Sequence, residues 1–586
     1  MGRQSANEGF LKAWFRYSGQ QDFFCLARYR EEAEIFARAG QSVHVHAGQQ
    51  GIQFRWVPQA QIHRVAGVGT AFLPGPQVAD CAWMRRRDPQ AQAHAFSLVG
   101  MTHTSCELAI QDALANMLLA PVYAWDAQIC PSVSVQKMVA RLLDDEAAWL
   151  GEHMGATCRH LPQLPVLPLG VHCSEYALPA EQHEALRREW RQRWALAAHD
   201  VCVLYVGRLD LQSKANLFPM FDALELAAQA LKAAGGPALT LVLAGWFASE
   251  WNEKILREGV VQACPSLRVV FEDGRLPEVR HAVWQAADIF SSLVDNIQET
   301  FGLTPIEAMA AGLPVVVTEY DGYRESVRHG QDGFLVPTWQ PEPGAGVDLM
   351  DRHADVMDSY NHYVGRASWL VGVDIRSAAE AYVRLAQDPQ LRQRMGASGA
   401  AHARSVYDWS NLVPRYQQLF ADLAASRPKA GKSTVAWQAG GAPGWGARHP
   451  RRSDPFHSFS HYPSALLQDD LHLQPGPLLP SVNDPALQAG VLKMQLGRPV
   501  YQGGAGLLQE DFLLAVLQRL SAQRDAVSVK DLLAQLVPQS GDAAVPPQKL
   551  QRQLGWLIKT GLVSPVHDNS ARSEVSSSFD EGRHRV

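Results

Sequence analysis

The chain has 586 residues, 47% of them hydrophobic and 19% charged, with a formal net charge of -6. That composition excludes a chain too polar to build a core, and so small an acidic balance excludes binding nucleic acid along the whole surface. No run reaches the roughly 18 apolar residues of a membrane-crossing helix, and the opening MGRQSANEGFLKAWF lacks an apolar signal core, so a cytoplasmic protein is expected.

Length predicts about three or four domains. The eight cysteines fall between Cys25 and Cys264 with no CxxC pair, the pattern of buried free thiols in a reducing compartment. Residues 2–9 read as a turn leading into a helix over 10–17. In an α/β domain a strand normally precedes such a turn. None does here, so either the first strand is missing or this start lies downstream of the natural one. Residues 2–9 read equally as a loop near the donor phosphates or acceptor and as an ordinary capped helix start. Strands are expected at 22–27, 43–45 and 54–57, with a Glu- and Ala-rich helix after the first. Arg85-Arg86-Arg87 reads as a solvated basic face. Residues 96–101 form a buried strand ending in Thr102-His103-Thr104. His103 therefore stands where open α/β sheets place ligands, although a histidine of the core or of a turn has the same local pattern. A helix over 106–119, segments 122–126 and 129–131, a helix over 134–143 and a strand over 164–170 complete the first half.

Strand 201–207 (VCVLYVG) leads straight into Arg208, and Lys214 follows before a helix over 217–234. Two cations at a strand end beside a helix start can hold a diphosphate that gains charge as a bond breaks. Strands at 239–245 and 267–271, a helix over 277–287 and a strand at 288–292 continue the alternation of a parallel sheet with right-handed crossovers. A helix over 378–386 is expected to break at Asp388-Pro389. Helices to about 406 and to about 425 then close the region.

The stretch from Asp295 to Gly333 organises the chemistry. Glu299 and Glu307 lie eight positions apart, around the nearly uncharged turn Phe301-Gly302-Leu303-Thr304-Pro305. An acid at a strand end and another one turn into the next helix frame a helix N-terminus, whose free N–H groups and positive dipole end attract anions. Taken alone, Glu299 could cap the turn and Glu307 could pair on a helix surface. The flanking FGL, the apolar run 313–317 and the upstream Arg208 and Lys214 favour the anion site.

ETFGLTPIE followed by AMAAGLPVV, VGRLDLQSK and LPLGVHCSEY together resemble the GT-B glycosyltransferases of the large retaining family-4 group (glycosyltransferase group 1). The resemblance covers about residues 1–426 and is strongest over 201–337. It departs at Leu169, where the family usually has Asn, and the first half matches poorly, as the half that binds a variable acceptor would. It implies two Rossmann-like domains facing across a cleft: an N-terminal acceptor domain over 1–172, a nucleotide-sugar donor domain over 173–406 and a closing helix over 407–426. It implies a hexosyltransferase that uses a nucleotide-diphosphate sugar as co-substrate and needs no other cofactor. Catalytic roles would fall to Glu299, His103, Arg208 and Lys214. Arg208 and Lys214 would hold the diphosphate, Glu299 the transferred sugar, and the backbone of Phe301, Gly302 and Leu303 its hydroxyls. Thr304 would cap the helix and touch phosphate, Glu307 would accept from the ribose, and Arg275 would approach the base. Transfer with retention is thought to proceed in this family by front-face attack. No apolar-flanked DxD occurs, so no obligatory metal is implied. The acceptor, whether saccharide, lipid or protein, stays open, as does peripheral contact with the inner face of the membrane.

Residues 427–506, rich in Pro, Gly, Ser and His, read as a linker. Gly431-Lys432-Ser433-Thr434 lacks the earlier glycine and the strand of a phosphate loop. Over 507–568 three helices and a short strand resemble a winged-helix domain, with an apolar face at 512, 513, 516, 517 and 520 and Ser528 as a cap. Its third helix offers only Lys549, Arg552 and Lys559 as cations, which favours docking on a protein partner or within the chain over DNA. Residues 569–586 are expected to be disordered. The alternative to an enzyme is a nucleic-acid- or protein-binding regulator built on a degenerate nucleotide-sugar-binding body.

Overall fold

The computed structural model describes residues 2–46, 51–88, 90–157, 160–428, 449, 451–452, 454–481, 483–501, 507–523, 525–536 and 547–566. The segment 431–434 and the tail 569–586 lie outside these residues. The chain forms two compact units, 1–450 and 451–586.

The first unit is α/β, with parallel sheets in both of its halves. In the C-terminal half, six parallel strands run in the order Gly333–Val336, Val315–Thr318, Ile289–Ser292, Val201–Leu209, Leu239–Phe247, Arg268–Asp273. The inner strands are apolar runs because helices cover both faces. The chain builds outward from Val201–Leu209 in one direction, then returns to place Ile289–Ser292 on its other side. The point where strand order reverses leaves a crevice beyond the strand ends, and ligands bind there in open α/β sheets. Arg208 lies at the end of one flanking strand with Lys214 in the loop after it, and Glu299 follows the other.

The N-terminal half departs from expectation in several places. Its strands split into a parallel pair, Asp22–Ala27 with Gln53–Pro58, and a separate parallel sheet of Thr70–Leu73, Ser97–Met101 and Ala127–Ile129. Helix Gly2–Tyr17 starts at once, without the expected turn, and buries Phe10 and Ala13. Residues 43–45 continue the helix Arg30–His46 rather than forming a strand, since the helical register was already running through them. Residues 164–170 make one isolated bridge, Val166 to Cys130; Pro165 and Pro168 lack the N–H groups a ladder needs. Arg85 is buried, not solvated: it makes a two-pronged pair with Asp126 at 2.8 and 2.7 Å and also donates to the carbonyl of Phe96. Asp388 ends one helix and caps the next, Pro389–His402, so the expected break stands. Helix Trp409–Ser426 crosses back onto the N-terminal half, where Trp409 and Tyr416 pack around Phe10.

The second unit contains a three-stranded antiparallel sheet, with His472–Pro475 between Val527–Ser528 and Val563–Pro565. Its core joins Leu473, Leu492, Leu513, Leu517, Leu532, Leu554 and Leu557. The expected linker is therefore corrected over 472–496, which supplies the central strand and the helix Pro485–Leu496. Its Pro-rich composition concealed two short apolar patterns. The predicted apolar face at 512, 513, 516, 517 and 520 is buried, and Ser528 accepts the N–H of Asp531 as a cap. No described helix is long and apolar enough to cross a membrane.

Candidate active site

The buried run Val201–Tyr205 fixes a strand whose end carries Arg208 into a tight loop. Asp210 shapes that loop by accepting the N–H groups of Gln212 and Ser213 and the hydroxyl of Ser213. Arg208 donates to the carbonyl and the hydroxyl of Ser213, at 3.0 and 2.9 Å, and so lies along its own loop. The loop then turns Lys214 toward the neighbouring strand end, where its Nζ donates to Glu299 Oε2 at 2.6 Å.

Glu299 is largely buried, with 13% of its side chain exposed. Burial pushes its carboxyl up, but the charge and hydrogen bond of Lys214 and the N–H groups of Thr300 and Phe301 outweigh that and hold it below the ordinary range. It is therefore an ionised acceptor of hydrogen bonds at neutral pH. Gly302 then adopts a φ of 85°, and a Cβ there would stand 1.9 Å from the ring of Tyr323, so only glycine fits. Gly302 is the N-cap of helix Leu303–Ala310. Thr304 was expected as the cap; it sits inside the first turn instead, and its hydroxyl reaches Tyr323. The positive φ that the turn requires selects glycine over a capping hydroxyl.

Glu307 lies one turn into this helix. Burial raises its carboxyl, and a hydrogen bond from the Tyr176 hydroxyl partly offsets this. Tyr176 belongs to the crossing segment between the halves, and its ring meets Trp284 edge-on. It stands in the quoted LPLGVHCSEY, but nothing in that string marks it as a partner for Glu307.

The two halves meet at this site. Thr300 Oγ1 donates to the carbonyl of His103 at 3.1 Å, which brings the end of strand Ser97–Met101 to the loop of Glu299. A second contact joins helix Val133–Met154 to the turn after strand Val315–Thr318. Ser132 donates to Asp321, and Glu325 accepts the N–H of Val133 at 2.8 Å. Asp321 has a φ of 42°, and burial, with Glu299 and Glu325 nearby, pushes its carboxyl up to about 7. Nothing in the sequence around Asp321 marks this contact, because Ser132 lies 189 residues away.

Arg275 is not drawn into this group. It lies at the end of the edge strand Arg268–Asp273, two places from Val201–Leu209, and Asp273 holds its guanidinium at 2.7 Å. Its side chain is 59% exposed. The structure thus joins Lys214 to Glu299, places Gly302, Leu303 and Thr304 at the helix start that follows, and brings His103 to Thr300.

Residues 187–345 match the family model described as glycosyl transferases group 1. That segment contains Arg208, Lys214, Arg275, Glu299 and Glu307. The chain is 30% identical over 157 residues to a D-inositol 3-phosphate glycosyltransferase of Corynebacterium diphtheriae, covering 27% of this chain and 28% of that one. It is 28% identical over 231 residues to a phosphatidyl-myo-inositol mannosyltransferase of Mycobacterium leprae, covering 39% and 48%. The chain thus spans between 28% and 48% of these two curated relatives. A further D-inositol 3-phosphate glycosyltransferase, of Rhodococcus erythropolis, is 26% identical over 352 residues, covering 55% of this chain and 74% of that one. Among solved structures, Anabaena Alr3699/HepE in complex with UDP aligns at 15% identity and a TM-score of 0.43, over 71% of this chain and 96% of that one.

Proposed function

We propose that this chain is a retaining glycosyltransferase that moves a hexose from a nucleotide-diphosphate sugar to an acceptor hydroxyl, without a required metal. The observation that carries the reading is the Lys214–Glu299 pair, 2.6 Å apart, immediately before the start of helix Leu303–Ala310. A cation, an ionised acid and a helix N-terminus lie together at a sheet switch point. Each suits one part of a sugar diphosphate.

In this reading Lys214 leaves Glu299 and follows the diphosphate, while Arg208 turns from Ser213 to the same phosphates. Glu299 accepts from hydroxyls of the sugar. The backbone at Phe301, Gly302 and Leu303 and the hydroxyl of Thr304 line the sugar–phosphate junction, and Glu307 accepts from the ribose. Arg275 would have to exchange Asp273 for the base. The bond from the anomeric carbon to the phosphate oxygen breaks as the acceptor oxygen bonds to that carbon on the same face. The acceptor proton passes to the departing phosphate, so the protein chiefly orients the partners and stabilises the developing charge. His103, tied by its backbone to Thr300, faces the acceptor side. The inositol-containing names of the relatives make cyclitols and their phosphates sensible first acceptors to screen. The unit over 451–586 serves in this reading to dock a protein partner.

The test is thermal shift with nucleoside diphosphates, followed by turnover of matching nucleotide sugars by wild type, Glu299→Ala and Lys214→Ala. Stabilisation that grows as ligand passes its dissociation constant supports the reading. No shift with any nucleotide, or turnover unchanged by both substitutions, overturns it.

A further inference from the structure

The side chain that connects the Lys214 loop to the Glu299 turn is Asn296, which is fully buried. Its Nδ2 donates to the carbonyl of Gln212 at 2.7 Å and to that of Val364 at 3.4 Å. Its Oδ1 accepts the N–H of Gln298 at 3.0 Å, and its own carbonyl accepts the N–H of Glu299 at 3.0 Å. One residue therefore shapes the turn that presents Glu299 and clasps the loop that presents Lys214. Gln212 stands two residues before Lys214, and Asn296 three before Glu299.

The third partner, Val364, belongs to helix Tyr360–Trp369, in the excursion between strand Gly333–Val336 and helix Ile375–Gln387. This helix lies directly on the same two loops. Ser368 donates to buried Asp295 at 2.6 Å. A Cβ on Gly365 would stand 3.1 Å from Gln212 Cα, so backbone and loop are in close contact there. At its other end, the Tyr360 hydroxyl meets Cys106 Sγ of the N-terminal half at 3.1 Å. Arg352 and Arg366 both bind Asp358 just before the helix, which fixes its entry.

We infer that Asn296 is a positioning residue that sets the Lys214–Glu299 pair, and that helix Tyr360–Trp369 is the brace that holds Asn296 in place. It touches neither sugar nor phosphate and acts through Lys214. The assignment rests on the glycosyltransferase reading for its consequence in turnover, but not for its geometry. Asn296→Asp is the informative change. It keeps the acceptor for Gln298 and replaces the amide donor with an oxygen facing two carbonyls, so the clasp is lost with little change of volume. A misplacement of about 1 Å can cost on the order of a hundredfold in rate.

The experiment is a double-mutant cycle of Asn296→Asp with Lys214→Ala in the full chain, with Ser368→Ala as a milder probe of the brace. It is read on nucleotide-sugar turnover and on the thermal midpoint without nucleotide. Asn296→Asp is expected to lower turnover about tenfold to a hundredfold in wild type and to have almost no further effect in the Lys214→Ala background. Ser368→Ala is expected to change turnover in the same direction by less. The midpoint cycle is expected to be non-additive in the same sense, because coupled residues fail to add. Additive effects in both cycles overturn the positioning role. Absence of turnover from wild type overturns the glycosyltransferase reading alone, and the midpoint cycle then still decides the role of Asn296.

Discussion

Thr300 donates its hydroxyl to the main-chain carbonyl of His103, 3.1 Å away and 197 residues earlier in the chain. Thr300 is the residue after Glu299, so the loop that would hold the sugar is fastened to the strand end that would face the acceptor. A backbone acceptor makes this contact independent of the histidine side chain. Thr300→Val should therefore remove the fastening at nearly constant volume, at a cost to stability of about 0.5–1.5 kcal/mol. The expected outcome is a larger share of donor hydrolysis relative to transfer, measured by separating free sugar from product. An unchanged ratio would show that the two halves are held together elsewhere.

Lys214→Ala leaves Glu299 buried without its cation. Burial then dominates, and the Glu299 carboxyl rises from below its ordinary value. Turnover should fall by about 10²–10³, the usual cost of removing one preorganised charge donor. The acid limb of the pH–rate profile should also move to higher pH. Steady-state kinetics across the acid range checks both; a falling rate with an unmoved limb would separate phosphate binding from the support of Glu299.

Tyr176→Phe removes the hydroxyl that meets Glu307. That hydrogen bond lowers the Glu307 carboxyl against burial, so its loss should favour the protonated, poorly accepting form. Nucleoside diphosphate should bind about three- to tenfold more weakly, in line with one lost hydrogen bond. Titration calorimetry with the nucleotide that stabilises wild type reads this directly. Equal affinities for the two proteins would remove Glu307 from the ribose site or show that it needs no tether.

Burial pushes the Asp321 carboxyl up to about 7 in the folded chain, from an ordinary 3.8. Between those values the folded state keeps a proton that the unfolded state has lost, so stability falls as pH rises through that window. Asp321→Asn removes the penalty, and Asn accepts the left-handed backbone found there. The melting temperature of the variant relative to wild type should rise by at least about 2 °C more at about pH 8 than at about pH 5. A difference independent of pH would mean that Asp321 is not the titrating group.

In the second unit, Leu473 and Leu492 are both fully buried, although they come from a segment whose composition reads as a linker. Leu473→Ala should lower the stability of residues 451–586 by about 2–5 kcal/mol through the cavity it leaves. Urea unfolding followed by protease protection of that unit provides the check. A cost under about 1 kcal/mol would be the value for an exposed linker residue.

Much of the site was legible because its parts are local. The buried run before Arg208 and the glycine within ETFGLTPIE depend on short-range periodicity and on one backbone conformation that only glycine takes easily. The apolar face at 512–520 and the break at Asp388-Pro389 were readable for the same reason. Arg85 was not, because its partner Asp126 lies 41 residues away and a triplet of arginines looks the same on a surface as beside a buried acid. Residues 43–45 and 164–170 were misread as strands, because short apolar runs do not distinguish a strand from a continuing helix or from an isolated bridge.

What the amino-acid string by itself determined is which residue types stand at strand ends and helix starts: Arg208, Lys214, Glu299, Gly302 and Glu307 along one alternating α/β pattern. Neighbouring residues set that pattern. Only the tertiary structure decided which of them meet, because those contacts join segments separated by 85 residues for Lys214 and Glu299, 84 for Asn296 and Gln212, and 197 for Thr300 and His103. The first two arise where the sheet reverses its strand order and the chain returns beside an earlier strand, the third where the loop after that strand meets a strand end of the other sheet, and no local spacing encodes either.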